Sequence, residues 1–102
     1  MRIAINGFGR IGRSVFRILN DQPWAQVVAV NDIADNEALA YLLRHDTVMG
    51  PFPDSVAIQG DVLRTSRQNV KMTEIAEAGA WPWKEMRVDC VVESTGRYRR
   101  RA

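Results

Sequence analysis

Residues 3–12 read Ile3-Ala4-Ile5-Asn6-Gly7-Phe8-Gly9-Arg10-Ile11-Gly12 and join a short apolar run to a glycine-rich turn. The apolar run at residues 3–5 predicts a buried strand, and Asn6-Gly7 predicts where that strand ends. The turn has the spacing GxGxxG, in which x is any residue. This spacing is a weak signal on its own, so its meaning depends on the segments that flank it.

A helix is predicted from Arg10 to Asn20, directly after the turn. Apolar residues recur at i, i+4, i+7 and i+8, the spacing of an amphipathic helix. They are Ile11, Val15, Ile18 and Leu19, and Phe16 widens the stripe. The helix cannot continue through Pro23. We therefore expect this apolar stripe to face the core.

A second continuous apolar run, residues 27–30, predicts a strand that is covered on both faces. Asp32 follows this run, twenty residues after Gly12. A dinucleotide-binding βαβ unit typically has this order of features: a strand, a GxGxxG turn, a helix, a second strand and an acidic residue. Two plainer interpretations compete with it. The turn could simply join a strand to a helix, and Asp32 taken alone could be a loop acid or a helix cap.

Each glycine of the turn has a physical role in such a unit. Gly7 permits the tight turn, Gly9 lets the backbone approach a pyrophosphate, and Gly12 lets the helix pack close to the strand. The free N–H groups and the positive dipole end at the helix start favour a phosphate there. A carboxylate at Asp32 can accept the hydroxyl hydrogens of an adenosine ribose and would repel a 2′-phosphate. The pattern therefore favours NAD over NADP.

The remainder of the chain predicts one more helix, a small meander and a final strand. Asp35 or Asn36 can cap the helix, with Leu39, Leu42 and Leu43 on one face. Short strands are predicted at residues 56–58, 62–65 and 70–72, one or two helical turns at 74–79, and a buried strand at 88–92. The predicted fold class is α/β, a Rossmann-type, partial doubly wound parallel sheet with a small antiparallel meander insertion. We expect one domain, residues 1–102.

The composition narrows the classes of function. Of 102 residues, 14 are Lys or Arg and 12 are Asp or Glu, which leaves a formal charge of +2, and 46% are hydrophobic. These values argue against a disordered or repetitive chain. No apolar run reaches the roughly 18 residues that span a bilayer, and no signal peptide is visible, so we expect a cytoplasmic protein. One cysteine and one histidine allow no internal disulfide and no structural zinc site.

Several blocks along the chain resemble phosphorylating glyceraldehyde-3-phosphate dehydrogenase. They are residues 5–13, Asn31-Asp32, residues 42–46 with Gly50, Pro82-Trp83, and residues 91–96. The first block resembles the N-terminal signature of that family, and the last resembles the strand that closes the first half of its cofactor domain. Erythrose-4-phosphate dehydrogenase is a close relative of that family, but Asn31-Asp32 and Glu93-Ser94 favour the glyceraldehyde-3-phosphate enzymes.

The resemblance implies NAD as the cofactor and a set of binding residues. Arg10 and Ile11 would meet the pyrophosphate through the helix N-terminus, and Asp32 would hold the adenosine ribose. The full set of expected cofactor-binding residues is Asn6, Gly7, Phe8, Gly9, Arg10, Ile11, Gly12, Asp32, Ser94, Thr95 and Gly96. Two positions depart from the family pattern. Met49 stands where histidine is usual, and Ala76 stands where a basic residue is expected near the adenine end.

The resemblance also implies what the complete family enzyme does. A cysteine attacks the aldehyde, a histidine assists, a hydride passes to NAD, and inorganic phosphate releases 1,3-bisphosphoglycerate. The family protein is expected to form homo-oligomers. The blocks that carry the catalytic cysteine and histidine do not occur in this sequence. We therefore expect no catalytic residue here, no turnover by this chain alone, and a role as the NAD-binding portion of such an oxidoreductase.

Two other functions remain as alternatives to that interpretation. The chain could be a stand-alone truncated module that binds a nucleotide or another protein without catalysis. It could also bind nucleic acid through the arginines of residues 97–101, although a solvated or frayed terminus explains that short run better.

Cys90 and His45 are both interpreted as structural rather than catalytic. Cys90 lies between apolar neighbours in the predicted strand at residues 88–92, so we expect a buried, inert thiol. The sole histidine, His45, is expected at a helix terminus, where it can interact with the helix dipole.

Overall fold

The computed structural model describes residues 1–46, 50–75 and 83–94. Two helices and eight strands occur in these ranges. In chain order they are β1 (Arg2–Asn6), α1 (Arg10–Asn20), β2 (Gln26–Asn31), α2 (Asn36–Arg44), β3 (His45–Asp46), β4 (Gly50–Pro51), β5 (Ala57–Gln59), β6 (Val62–Arg64), β7 (Asn69–Thr73) and β8 (Cys90–Glu93). Several predicted features lie outside these ranges: Met49, residues 76–79 of the predicted helical turn, Thr95, Gly96 and the arginine run.

Six of the described strands form one sheet in the order β5-β6-β7-β2-β1-β8. The four strands β7, β2, β1 and β8 run parallel to one another, whereas β6 is antiparallel both to β5 and to β7. The parallel strands follow the chain order 3-2-1-4 of a Rossmann half. The predicted α/β class and the meander are therefore confirmed. Strand β7 belongs to both parts of the sheet, since it pairs antiparallel with β6 and parallel with β2.

The main core lies between this sheet and the two helices, and three phenylalanines occupy its centre. Phe8 and Phe16 meet edge to face with ring centroids 5.7 Å apart, and Phe16 stacks on Phe52 at 6.0 Å. Arg17 closes this end of the core. It lies 5.4 Å from the Phe52 ring centroid, and its guanidinium donates to the carbonyl of Leu43 at 3.0 Å.

The predicted apolar stripe of α1 is confirmed at Phe16 and Leu19, and Val15 packs against the core, but the prediction is wrong for Ile11 and Ile18. The buried residues of α1 are Gly12, Phe16, Leu19 and Asn20, whereas Ile11 is 65% exposed and Ile18 is 59% exposed. Both sets have the same i, i+4, i+7, i+8 spacing, so the helix is rotated by one position. Tertiary contacts cause this rotation, because Gly12 lies against the end of β1 and Asn20 is buried with hydrogen-bond partners of its own.

Helix α2 begins as predicted, and Asp35 is its N-cap. The Asp35 carboxylate accepts from the backbone N–H of Ala38 at 3.1 Å, which decides between the two candidate caps. Leu39 and Leu43 are buried, but Leu42 is 42% exposed and does not share their face. His45 is the C-cap residue, and its ring lies 4.6 Å from that of Tyr41.

Strand β2 is covered on both faces, as predicted. Residues 27–30 are all buried. One face contributes Val27 and Val30 to the main core. On the other face, Val28 and two alanines pack with the segment of residues 83–88, where Trp83, Met86 and Val88 are partly buried. The small residues on this side, Ala4 and Ala29, let that segment lie close to the sheet.

Strand β8 is not the buried strand that its sequence predicts. It forms one edge of the described sheet, where Cys90 is exposed and Val91 is 40% exposed. A continuous apolar run predicts burial only if both faces are covered, and in the described chain only Val92 packs against the main core. The predicted burial of Cys90 is therefore wrong. Its register opposite Ile3 still places it at the amino end of the parallel strands.

A small polar cluster ties the C-terminal end of α1 to the meander. The Asp54 carboxylate accepts from Asn20 Nδ2 at 2.9 Å and from Ser66 Oγ at 2.8 Å, and Asn20 Oδ1 accepts from the Thr65 hydroxyl at 2.8 Å. Burial tends to raise the pKa of Asp54, but hydrogen bonds from Asn20, Ser66 and the backbone of Ser55 outweigh it. The pKa of this carboxyl therefore lies below its ordinary value.

This lowered pKa predicts how the stability of the chain depends on pH. The ionised form of Asp54 stabilises the fold above the ordinary aspartate pKa of about 3.9, and this contribution is lost as the pH falls through the lower pKa of the folded state. Asp54→Asn is expected to lower the free energy of unfolding at pH 7. Near pH 3 the free energies of unfolding of the variant and the parent chain should lie closer together. Urea titrations of both chains at the two pH values measure this, and the same loss of stability at pH 3 as at pH 7 would contradict the prediction.

None of the helices described is long and apolar enough to cross a membrane.

Candidate functional site

The candidate site lies along the edge of the sheet where the parallel strands end. In register, Asn6 of β1 is opposite Asn31 of β2 on one side and Glu93 of β8 on the other. The glycine turn follows Asn6, Asp32 follows Asn31, and Ser94 follows Glu93. The fold therefore gathers three separate predicted segments at one edge, the place where open α/β sheets bind ligands.

The turn after β1 has the backbone geometry that its first glycine predicts. Gly7 has φ 96°, a value in the left-handed region that favours glycine. Its N–H donates to the carbonyl of Asn31 at 2.7 Å, so the turn is fixed to the end of β2. Gly7 thus permits a sharp change of direction that leads straight into α1.

Gly12 is needed because α1 passes very close to this turn. A Cβ atom at Gly12 would lie 2.1 Å from the carbonyl oxygen of Gly7 and 2.9 Å from Ser94 Oγ. The Ser94 hydroxyl itself donates to the Gly7 carbonyl, and its backbone N–H donates to the carbonyl of Asn6 at 2.9 Å. The three segments therefore meet at one point, and only a hydrogen fits on Gly12.

Gly9 differs from Gly12, because no atom of the described residues requires a glycine there. A Cβ atom at Gly9 would have no atom of residues 1–46, 50–75 or 83–94 within 4 Å outside its chain neighbours, and its φ of −79° suits any residue. Gly9 is the N-cap of α1 and provides no side-chain hydrogen bond to the helix. The space over Gly9 is therefore open in front of the first N–H groups of α1, which have no acceptor within the helix.

Asp32 is half-buried and its carboxylate has two backbone partners. Oδ2 accepts from the N–H of Phe8 at 2.7 Å, and Oδ1 accepts from the N–H of Ala34 at 2.9 Å. A carboxylate has about four acceptor positions, so one on each oxygen is left for a ligand. The same residue therefore holds the glycine turn in place and presents unused acceptors at the edge of the sheet.

Two predicted site residues, Asn6 and Phe8, have side chains that are not available to a ligand. Asn6 is 1% exposed, and its amide bonds to neighbouring strands. Phe8 is fully buried against Phe16, and its N–H is taken by Asp32. Arg10 and Ile11 are exposed in the first turn of α1.

Asn31 and Glu93 are structurally important at this edge, and the sequence interpretation did not assign them to the site. Asn31 Nδ2 donates to Asn6 Oδ1 at 2.9 Å, and Asn6 Nδ2 donates to Glu93 Oε2 at 2.7 Å. The available signal is that each parallel strand ends in a polar residue after apolar ones. This signal becomes specific only when the register places those residues side by side.

Comparison with known proteins gives the same result as the geometry. Residues 1–101 match the family model described as "Glyceraldehyde 3-phosphate dehydrogenase, NAD binding domain". The chain belongs to this family. The predicted resemblance is therefore confirmed, and NAD is the cofactor of the domain.

Several glyceraldehyde-3-phosphate dehydrogenases are similar to this NAD-binding domain over most of its length. The enzyme of Thermotoga maritima is 43% identical over 98% of the chain, which corresponds to 31% of that protein. Glyceraldehyde-3-phosphate dehydrogenase 1 of Streptomyces arenae is 42% identical over 94% of the chain and 29% of its own length. The enzyme of Mycoplasma pneumoniae is 43% identical over 96% of the chain and 29% of its own length. The chain spans about 30% of the length of these relatives.

The described residues fit a dinucleotide. The open space over Gly9 and the uncapped start of α1 suit a pyrophosphate, and no acidic side chain in the first turn opposes it. Asp32 provides acceptors for ribose hydroxyls. Among the described residues, no group of three or more His, Cys, Asp or Glu side chains could hold a metal ion.

Proposed function

We propose that NAD binds across the carboxyl ends of β2, β1 and β8, and that this chain supplies binding and orientation rather than a reacting group. The observation that carries this proposal is the arrangement of Gly9, Gly12 and Asp32. Gly12 is required by packing, but Gly9 is not, so the absence of a side chain at Gly9 is explained by a ligand that approaches the backbone. When bound, NAD supplies a hydride acceptor, and the chain fixes where that acceptor lies.

Each end of the cofactor has its own proposed residues. The N–H groups of the first turn of α1, at Gly9, Arg10 and Ile11, would bind the pyrophosphate. Asp32 would accept from the adenosine ribose, and Ser94 with Thr95 and Gly96 would line the cofactor groove at the carboxyl end of β8. The exposed Ile33, directly after Asp32, provides apolar surface for the adenine face.

Asp32→Ala is expected to weaken NAD binding by about tenfold or more, because it removes hydrogen bonds from a charged acceptor to the ribose. It is also expected to reduce the preference for NAD over NADP, since the charge that repels a 2′-phosphate is lost. Titration of each cofactor by calorimetry measures both effects.

Asp35→Ala is the matched control for this experiment. Asp35 is an exposed aspartate three residues further along the chain, and its carboxylate caps α2. Its removal should lower stability by about 1 kcal/mol and leave both cofactor affinities unchanged. An Asp32→Ala chain with an unaltered ratio of NAD to NADP affinity would overturn the role proposed for Asp32.

The activity of the whole protein is a further part of the proposal. The relatives named above are glyceraldehyde-3-phosphate dehydrogenases, and the domain is expected to serve the oxidation and phosphorylation of that aldehyde in a cytoplasmic homo-oligomer. The catalytic cysteine would come from outside this chain. Cys90 does not fit that role, because it lies three residues before Glu93 on β8, roughly 10 Å from the carboxyl edge of the sheet.

The intact mass of the endogenous protein that carries this N-terminus tests this part of the proposal. A mass several-fold above 11.5 kDa is expected, because the relatives are about three times longer than the matched region. A mass near 11.5 kDa would favour the alternative of a stand-alone module that binds NAD or another protein without catalysis. The exposed Val91 of edge strand β8 is the feature that would suit such an association.

A further inference from the structure

Four polar side chains form one hydrogen-bonded chain beneath the cofactor site. They are Thr73, Asn31, Asn6 and Glu93, which end the four parallel strands β7, β2, β1 and β8 and lie opposite one another in register. Thr73 Oγ1 donates to Asn31 Oδ1, Asn31 Nδ2 donates to Asn6 Oδ1, and Asn6 Nδ2 donates to Glu93 Oε2. We call this series the amide chain.

Asn31 is the centre of the amide chain, and it uses its full hydrogen-bonding capacity. Its Oδ1 accepts from the Thr73 hydroxyl and from the N–H of Ile75 at 2.9 Å. Its Nδ2 donates to Asn6 Oδ1 at 2.9 Å and to the carbonyl of Ile75 at 2.8 Å. An amide has two donors and two acceptor positions, so every one of them is engaged. Asn31 is 3% exposed, so bulk water cannot readily replace any of these partners, and losing one would cost free energy.

Glu93 and the backbone of Ile75 orient the amide chain from two sides. An ionised carboxylate can only accept, so Asn6 turns its NH₂ group toward Glu93 and its oxygen toward Asn31. The N–H and carbonyl of Ile75 orient the amide of Asn31 in the same sense, with its NH₂ group toward Asn6. The carboxylate at the edge of the sheet therefore orients Asn6 and, through it, supports the orientation of Asn31.

The amide chain acts on the residue that is proposed to bind ribose. Asn31 directly precedes Asp32, and the backbone carbonyl of Asn31 accepts from Gly7. The N–H of Asp32 donates to the carbonyl of Thr73 at 3.0 Å. The ends of β1, β2 and β7 are thus held together around Asp32, and the amide of Asn31 adds residue 75 to them.

We propose that Glu93 is a positioning residue for the adenosine end of the cofactor site. It acts through Asn6 and Asn31 to hold Asp32 and the residues after β7 in their binding geometry, although it lies two strands away from Asp32. This inference rests on the proposed binding of NAD at this edge. It adds that the end of β8 is coupled to the surroundings of Asp32 through the side chains of the sheet.

Glu93→Leu and Glu93→Gln test this inference with ADP as the probe. ADP carries the adenosine ribose but lacks the nicotinamide and its ribose, so a direct contact between Glu93 and the nicotinamide half of NAD would not affect ADP binding. Glu93→Leu is expected to weaken the binding of both ADP and NAD by about fivefold, since Asn6 loses its charged acceptor. Glu93→Gln should remain within about twofold of the parent chain, because the Oε1 atom of glutamine can accept from Asn6 in the same way.

The side-chain amide protons of Asn6 and Asn31 give a second measurement that does not depend on any ligand. In NMR spectra, Glu93→Leu should shift the signals of both residues and speed their exchange with water, whereas Glu93→Gln should change Asn31 little. Glu85→Leu is the matched control, because Glu85 is exposed on the 83–88 segment outside the amide chain. It should change neither ADP affinity nor these signals.

The possible outcomes separate the inference from the proposed function. If Glu93→Leu weakens NAD binding and leaves ADP binding unchanged, Glu93 acts at the nicotinamide end and the inference is overturned. It is also overturned if the Asn31 signals do not respond to Glu93→Leu. If the parent chain binds neither NAD nor ADP while the amide signals respond as expected, the proposed site is wrong and the amide chain is only structural.

Discussion

Gly12→Ala is expected to lower the free energy of unfolding by about 3 kcal/mol or more. The added Cβ would lie 2.1 Å from the carbonyl oxygen of Gly7, a backbone atom that cannot move aside as a flexible side chain can. It would also press on Ser94 Oγ, which bonds to the same carbonyl. Alanine favours helix over glycine by about 1 kcal/mol, so helix propensity would change stability in the opposite direction.

Gly9→Ala is the matched variant, because it adds the same methyl group three residues earlier. The methyl would have open space around it, so stability should change by no more than about 1 kcal/mol. NAD affinity should nevertheless fall by about tenfold or more, since the methyl occupies the proposed approach of the pyrophosphate. Urea denaturation and cofactor titration of both variants measure the contrast. A Gly12→Ala chain as stable as the parent would contradict the close approach of α1 to the turn.

Phe16→Ala is expected to lower the free energy of unfolding by about 3–5 kcal/mol. Phe16 is fully buried and joins the rings of Phe8 and Phe52 in one cluster, so its loss would leave a cavity between α1 and the sheet. A domain of ordinary stability has only about 5–15 kcal/mol in total. The urea concentration at the midpoint of unfolding should therefore be much lower for Phe16→Ala than for the parent chain. The dependence of the unfolding free energy on urea concentration should stay the same.

Ile18→Ala is the control for Phe16→Ala in the same helix. Ile18 is 59% exposed, so its truncation should change stability by no more than about 0.5 kcal/mol. The pair also decides between the two orientations of α1. If Ile18→Ala destabilised the chain as much as Phe16→Ala, Ile18 would face the core as the sequence predicts, and its exposure in the structure would be wrong.

Part of the candidate site was predictable because its signals are local. The tight turn at Gly7 and the start of α1 follow from neighbouring residues, since backbone conformation and helix caps depend on a few positions in a row. Asp32 was identified by its distance from Gly12 along the chain. Its bond to Ala34, two residues on, is also local.

The partners of these residues were not predictable in the same way. Asp32 also accepts from Phe8, 24 residues earlier, and Asn6 donates to Glu93, 87 residues later. Such contacts depend on which strands become neighbours and on their register. The register is known only once the sheet has formed, so nothing in the sequence indicated that Asn6 would lie between Asn31 and Glu93.

The sequence by itself determined the two helices, the six strands of the main sheet, the α/β class, and the glycine turn with its acid, because each depends on periodicity or spacing within a short segment. The two-residue strands β3 and β4 were not predicted. Only the tertiary structure decided that α1 leaves Ile11 and Ile18 exposed, and that β8 leaves Cys90 exposed. The close approach of Gly12 to Gly7 limits which face of α1 can turn toward the sheet, and this contact depends on the folded turn. Burial of an apolar strand requires a covering layer, and no property of the strand's own residues provides one.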